Sequence, residues 1–178
     1  MVENICSPLE WSSTSDSPRQ HTEFTLTSDT SGGWWGCGAW HNQKWFQLTW
    51  DERTSNVHIA IKELIPIMIA ALVWGRLWTG GRVIAHCDNT AVVSVLNSRY
   101  SQDKMLLQTL RGLFFTEANF QFQPSAVHLP GTHNGLADDL SRNHLSSFLR
   151  KRGTDSTLHT KRTNQHSGNL LTSAPLTP

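Results

Sequence analysis

Cysteine is scarce in this chain of 178 residues, and its scarcity closes several routes to function. Cys6, Cys37 and Cys87 are odd in number and lack metal-ligand spacing, which argues against a disulfide framework and against a zinc site. A reducing, intracellular compartment fits that usage. Long apolar runs are missing as well: the longest, Leu64 to Trp74, is too short to span a bilayer and contains Pro66, so no membrane association is expected. The start, Met1-Val-Glu-Asn, has neither a basic cluster nor an apolar stretch, so no signal peptide is expected. Nor is there a basic excess in the centre. Residues 22–149 carry nine Lys/Arg against ten acids, whereas residues 150–178 carry five against Asp155 alone. Bulk charge therefore does not make the centre a nucleic-acid binder, and any grip on phosphates must come from metal ions and a few placed side chains.

At 38% hydrophobic, the chain can bury a sizeable core, and its length suits one domain with tails. Residues 1–21, with Ser12-Ser-Thr-Ser-Asp-Ser-Pro18, read as a disordered or linker segment, and residues 150–178 as a basic, Ser/Thr-rich disordered tail. The domain is placed at 22–149.

Within that domain Phe24 and Leu26 alternate with Thr25 and Thr27, a first strand. Trp35 to Trp40 and Lys44 to Trp50 form a meander turning at Asn42-Gln43. A helix from Ile59 to Trp74 follows, with Thr54-Ser55-Asn56 offering its N-cap and Pro66 predicting a kink or a late start. It is apolar nearly all round, so it should be packed on several sides. Arg82 to Cys87 is a fourth strand, Asn89 to Leu96 a short helix, and Leu106, Leu107, Leu110, Leu113 and Phe114 mark an amphipathic one. Phe120 to Leu129 reads as a fifth strand whose Pro124 suits an edge or a bulge, and Asn134 to Leu149 as the last helix. Three strands, then helix, strand, two helices, strand and helix give an α/β fold: a mixed sheet covered by helices on both faces.

Four acids occupy this frame: Asp29 ending the first strand, Glu63 in the apolar helix, Asp88 after the fourth strand and Asp138 in the last helix. Singly, Asp29 reads as a turn aspartate, Asp88 as a helix cap and Asp138 as a complement to a helix dipole. Glu63 resists such a reading, because a carboxylate in an apolar helix is costly to bury without a partner and the sequence offers only Lys62 nearby. Together, four carboxylates converging at one point would repel strongly at about 4 Å unless a divalent cation sits between them, which points to metal-dependent chemistry on phosphates.

The order of these acids resembles the ribonuclease H fold. Its local strings are Ser28-Asp29-Thr-Ser-Gly32 with Gly36-Cys-Gly38, Lys62-Glu63-Leu64, Cys87-Asp88-Asn89-Thr90-Ala91, and His128-Leu-Pro-Gly131 leading to Asn134-Gly-Leu-Ala-Asp138-Asp-Leu-Ser-Arg142. The last is similar to the closing motif of ribonuclease H domains in LTR-type retrotransposon polyproteins. The Trp-rich strands and Lys62-Glu-Leu-Ile-Pro66 look most like the tyrosine-recombinase (DIRS-type) branch. The resemblance covers residues 22–146, about 70% of the chain.

It implies a five-stranded sheet and an endonuclease that cleaves the RNA strand of RNA/DNA hybrids with two Mg²⁺ ions, Mn²⁺ being the substitute. Asp29, Glu63, Asp88 and Asp138 would be the metal ligands, Asp29 bridging, and oxygen donors suit that hard cation. His128 stands ten positions before Asp138, and Asn134 four before it, as a mobile histidine and an asparagine do in cellular ribonucleases H. His133, in the same loop, is the other candidate proton shuttle. Gly32, Gly33, Asn89 and Asn134 would contact substrate, the glycines by close backbone approach. A helical projection puts Asp138 at the margin of the buried face and Asp139 opposite it, solvated.

No Tyr-x-Asp-Asp polymerase motif occurs, so the reverse transcriptase that accompanies such a domain would be a partner absent from this chain. Asn97 to Asp103 leaves no room for the basic extra helix that cellular enzymes use to hold hybrids. A second reading is a weakly active or inactive remnant, a docking module for a polymerase or another protein. The complete acidic quartet favours the enzyme, since a relic would readily lose a mutually repelling carboxylate. An integrase-like transferase fits poorly, because those enzymes carry their glutamate on a late helix.

Overall fold

The computed structural model describes residues 22–32 and 35–159. Residues 1–21 and 160–178, expected to be disordered, lie outside the described residues. Five strands form one sheet: β1 Glu23–Thr30, β2 Cys37–His41, β3 Lys44–Leu48, β4 Arg82–Cys87 and β5 Gln123–His128. Their order is β3-β2-β1-β4-β5, with β1/β2 and β2/β3 antiparallel and β1/β4 and β4/β5 parallel. Among the described residues six α-helices follow, α1 Glu52–Ser55, α2 Ile59–Trp74, α3 Thr90–Ser98, α4 Lys104–Phe120, α5 Gly135–Ser141 and α6 Leu145–His159, with two 3-10 turns at Gly75–Trp78 and Gly131–His133.

The sheet is covered on both faces. Neighbouring strand residues point to opposite sides, and in β2 Ala39 joins the core under α2 and α4 while Gly38 meets Leu140 of α5. Double coverage explains why β1 begins exposed but is buried at every residue from Leu26 to Thr30. Asn42 and Gln43, with φ of 48° and 69°, form the tight turn of the β2/β3 hairpin, matching the strand twist. Pro124 lies on the edge strand β5, where a missing donor costs least.

Beneath the sheet, His41 is lodged among the rings of Phe24, Trp74 and Trp78. Its Nδ1 bonds the Thr25 carbonyl at 2.8 Å and its Nε2 accepts from Trp78 Nε1 at 3.1 Å, which fixes the neutral Nδ1–H tautomer. Burial holds its pKa below the usual value.

Several sequence boundaries move. Asp51 caps α1, and His58 caps α2 by accepting from Ala60 N, so Thr54 to Asn56 do not provide the α2 cap. Helix α2 runs unbroken through the buried Pro66, with no late start. It is packed on fewer sides than expected: Leu72 and Val73 are exposed. Phe120 belongs to α4, not to β5, because its ring lies where a side chain on Gly75 would be and Gln121 ends the helix in the left-handed region. The last helix is two: Asn143, at φ 60°, turns the chain between α5 and α6, and α6 runs to His159 across the expected boundary at residue 149.

Candidate active site

Parallel pairing of β1 with β4 brings their carboxyl ends side by side, and Asp29 and Asp88 stand there. Helix α2 packs on β1 and presents Glu63 to the same end. Glu63 Oε, Cys87 Sγ and an Asp88 carboxylate oxygen lie within 4.8 Å of one another. Asp29 does not join that tight group but acts on it through its charge. Burial first, then the charges of Asp29 and Asp88, push the Glu63 carboxyl up to about 9. Lys62, buried itself, places Nζ 5.8 Å from the centre of the Trp50 ring. Successive helical residues point about 100° apart, so the lysine cannot share its neighbour's direction.

Asp29 is buried and held from the far face. Ser141 Oγ of α5 donates to its Oδ2 at 2.6 Å, and Asn134 Nδ2 approaches its Oδ1 at 3.4 Å. Burial raises the Asp29 pKa to about 6; the Ser141 bond opposes that rise, and Asp88 and Asp138 add to it. The close seat of α5 depends on Gly38, which pairs with Asp29 across the hairpin: a Cβ there would stand 2.3 Å from Leu140 Cβ.

Asp138 is half-exposed on α5, where Arg142 Nε donates to its Oδ1 at 2.6 Å. Its neighbour corrects the helical projection. Asp139 is buried, not solvated, and pairs with Lys151 Nζ of α6 at 2.8 Å. The projection assumed one straight helix; the turn at Asn143 folds α6 back onto α5 and covers that side.

Asn134 was expected to contact substrate. It is instead 1% exposed, with Nδ2 donating to Ser28 O at 3.0 Å, so it braces β1 from within. Asn89, not Asp88, caps α3: its Oδ1 accepts from Ala91 N and Val92 N, which leaves its Nδ2 as the group able to meet a ligand. His128 is exposed at the end of β5, paired in register with Cys87, and His133 is exposed in the short turn Gly131–His133. A Cβ on Gly131 would lie 3.4 Å from Asp88 Oδ2, so that turn borders the acidic group. Gly32 is exposed with open space around it, and Gly33 lies outside the described residues. Within the fold, Gly36, at φ 144°, lies where a side chain would strike Leu48 O.

Sequence reasoning missed Ser141, Arg142 and Cys87 as neighbours of the acids. Ser141 and Arg142 follow Asp138 by one helical turn, a spacing that could have found them. Cys87 carried no such signal. Its thiol is fully buried beside Glu63 and its pKa is pushed up, so it is a neutral donor here and not a thiolate ligand.

The donor set fits a hard divalent cation. Carboxyl groups gathered at one end of the sheet, two of them with pKa values raised by burial and mutual repulsion, hold protons that a divalent cation would replace.

No protein-family profile and no curated protein matches the chain. Solved structures do. The ribonuclease H1 of the halophilic archaeon Halobacterium salinarum superposes with a TM-score of 0.56 at 16% identity, covering 71% of this chain and 99% of that one. The N-terminal ribonuclease H domain of a Mycobacterium tuberculosis protein, solved as a fusion with maltose-binding protein, gives 0.50 at 15% identity, covering 73% and 98%. The chain has the ribonuclease H fold.

Proposed function

We propose that the protein is a metal-dependent endonuclease that cleaves the RNA strand of RNA/DNA hybrids. The observation that carries this reading is Glu63, a carboxyl buried against Asp29 and Asp88 and pushed up to about 9, a costly arrangement unless charge-neutralising chemistry uses it. Asp29, Glu63, Asp88 and Asp138 would hold two Mg²⁺ ions, or Mn²⁺ in their place. When bound, such ions supply an activated water and stabilisation of the leaving 3′ oxygen.

The chain's own groups do the rest. Ser141 and Asn134 orient the Asp29 carboxylate from behind, leaving its cleft side to the ligand. Gly131 borders Asp88 at the same end of the sheet. His128 and His133, exposed on the β5 edge and the turn beyond it, are the two groups able to carry a proton away from that end of the sheet. Asn89 Nδ2 is available to a substrate hydroxyl or phosphate.

The near-neutral centre supports a domain that borrows affinity from a partner, a reverse transcriptase of the retroelement type in which the closing motif of this chain finds its likeness. The same reading places the protein inside the cell, in a reducing compartment. No helix among the described residues is long and apolar enough to cross a membrane.

Incubation of the purified chain with Mg²⁺ or Mn²⁺ and an end-labelled RNA/DNA hybrid, beside single-stranded and duplex RNA, tests the proposal. Metal-dependent cutting of RNA in the hybrid alone is expected. Metal binding without any cleavage would transfer the protein to the docking-module reading.

A further inference from the structure

Arg142 closes the helix that carries Asp138. Its backbone N–H bonds the Asp138 carbonyl while its side chain returns to the same residue's carboxylate, Nε to Oδ1 at 2.6 Å. The pair is exposed on both sides, 54% for the arginine side chain and 40% for the aspartate. It sits at the last turn of α5, one residue before the left-handed Asn143. More than half of the arginine side chain is exposed, so the guanidinium can leave the carboxylate by rotating its own side chain. Its charge also reaches Asp29, whose carboxyl it acts to lower. One cation thus serves two of the four acids while engaging a single carboxylate directly.

We propose that Arg142 is a resident counter-cation of Asp138 that an incoming divalent ion must displace, so that this arginine sets the cation affinity of the site. The inference rests on the metal-site reading above. A carboxylate oxygen that accepts a short bond from a guanidinium offers fewer lone pairs to a metal, and a fixed positive charge beside the ligand repels a second one. Exposed ion pairs of this i,i+4 kind are weak, which makes the displacement easy and the effect on affinity modest. A metal arriving at Asp138 would release the arginine at the rim of the acidic cleft.

The direction of the effect separates this role from a structural one. Damage to α5 would weaken cation binding, whereas removal of a competitor strengthens it. The test is a Mn²⁺ titration of the full chain, followed through the paramagnetic resonance signal of the free ion. Wild type would be compared with Arg142→Ala, Arg142→Gln, Arg142→Lys and Arg82→Ala. Arg82 starts β4, at the opposite end of the sheet, and controls for net charge alone. Arg142→Ala and Arg142→Gln are expected to bind Mn²⁺ about two- to fivefold more tightly, Arg142→Lys close to wild type, and Arg82→Ala unchanged. Equal or weaker binding in both neutral Arg142 variants, with melting temperatures near wild type, overturns the proposal. So does equal tightening in Arg82→Ala. A wild type without Mn²⁺ affinity overturns the metal-site reading itself, and this inference with it.

Discussion

Glu63 and Asp139 are both buried acids, yet their surroundings give them opposite roles. Glu63 faces other acids and a neutral thiol. Asp139 faces Lys151, an opposite charge 2.8 Å away. Glu63→Gln and Asp88→Asn keep size but remove charge from the candidate metal site. Each is expected to lower hybrid cleavage by at least about a hundredfold while circular dichroism stays that of the wild type. Relief of repulsion should even raise the melting temperature of cation-free Glu63→Gln. Asp139→Asn should do the reverse: lower the melting temperature by a few degrees, at a cost of about 1 kcal/mol, and leave cleavage per folded molecule within a few fold of wild type. Loss of cleavage in Asp139→Asn equal to that in Asp138→Asn would move the fourth carboxylate to Asp139.

At the scale of elements, α5 is the piece that completes the site, and Gly38 is what lets it sit there. A methyl group at position 38 would stand 2.3 Å from Leu140 Cβ and 3.3 Å from Phe46 O, so the helix must move. Overpacking of this kind costs about 1–3 kcal/mol. Because α5 carries both Ser141 and Asp138, Gly38→Ala is expected to weaken Mg²⁺ binding, read by calorimetry, as well as stability. A variant that loses stability alone would show that Ser141 reaches Asp29 despite the shift. This coupling also marks how far the sequence could be read. The three-strand meander and the mixed sheet were legible, because strand alternation is a local signal. Asn42-Gln43 announced its turn. The split of the last helix was not legible: Asn143 takes the left-handed region without a glycine, and Lys151 lies too far along the chain to be assigned to Asp139 by spacing. Asn134, read as a substrate contact at the start of the last helix, is a buried brace, because only tertiary packing puts Ser28 O beside it.

Across the whole molecule, two sets of buried titratable groups drive stability in opposite directions with pH. His41, held neutral between Thr25 O and Trp78, has a lowered pKa, so the stability it lends is present above the unfolded value near 6.5 and is lost as pH falls through its folded value. The acids act in the contrary sense. Glu63 is raised from 4.5 to about 9 and Asp29 from 3.8 to about 6. The folded chain therefore binds more protons than the unfolded one between those limits. The contribution of these acids is complete below the unfolded values and is lost as pH rises through the folded ones. A divalent cation competes with those protons, so its stabilising effect should grow over the same window. The expected result is a melting temperature that falls in EDTA between about pH 6.5 and about pH 9, where His41 has ceased to titrate and Glu63 has not. Millimolar Mg²⁺ should raise it little at the acid end and by several degrees at the alkaline end. Glu63→Gln should flatten the fall in EDTA. A wild-type melting temperature that is level across this range, with or without Mg²⁺, would mean that Glu63 ionises as an ordinary solvated carboxylate and that the acidic cluster is not a site of stored charge.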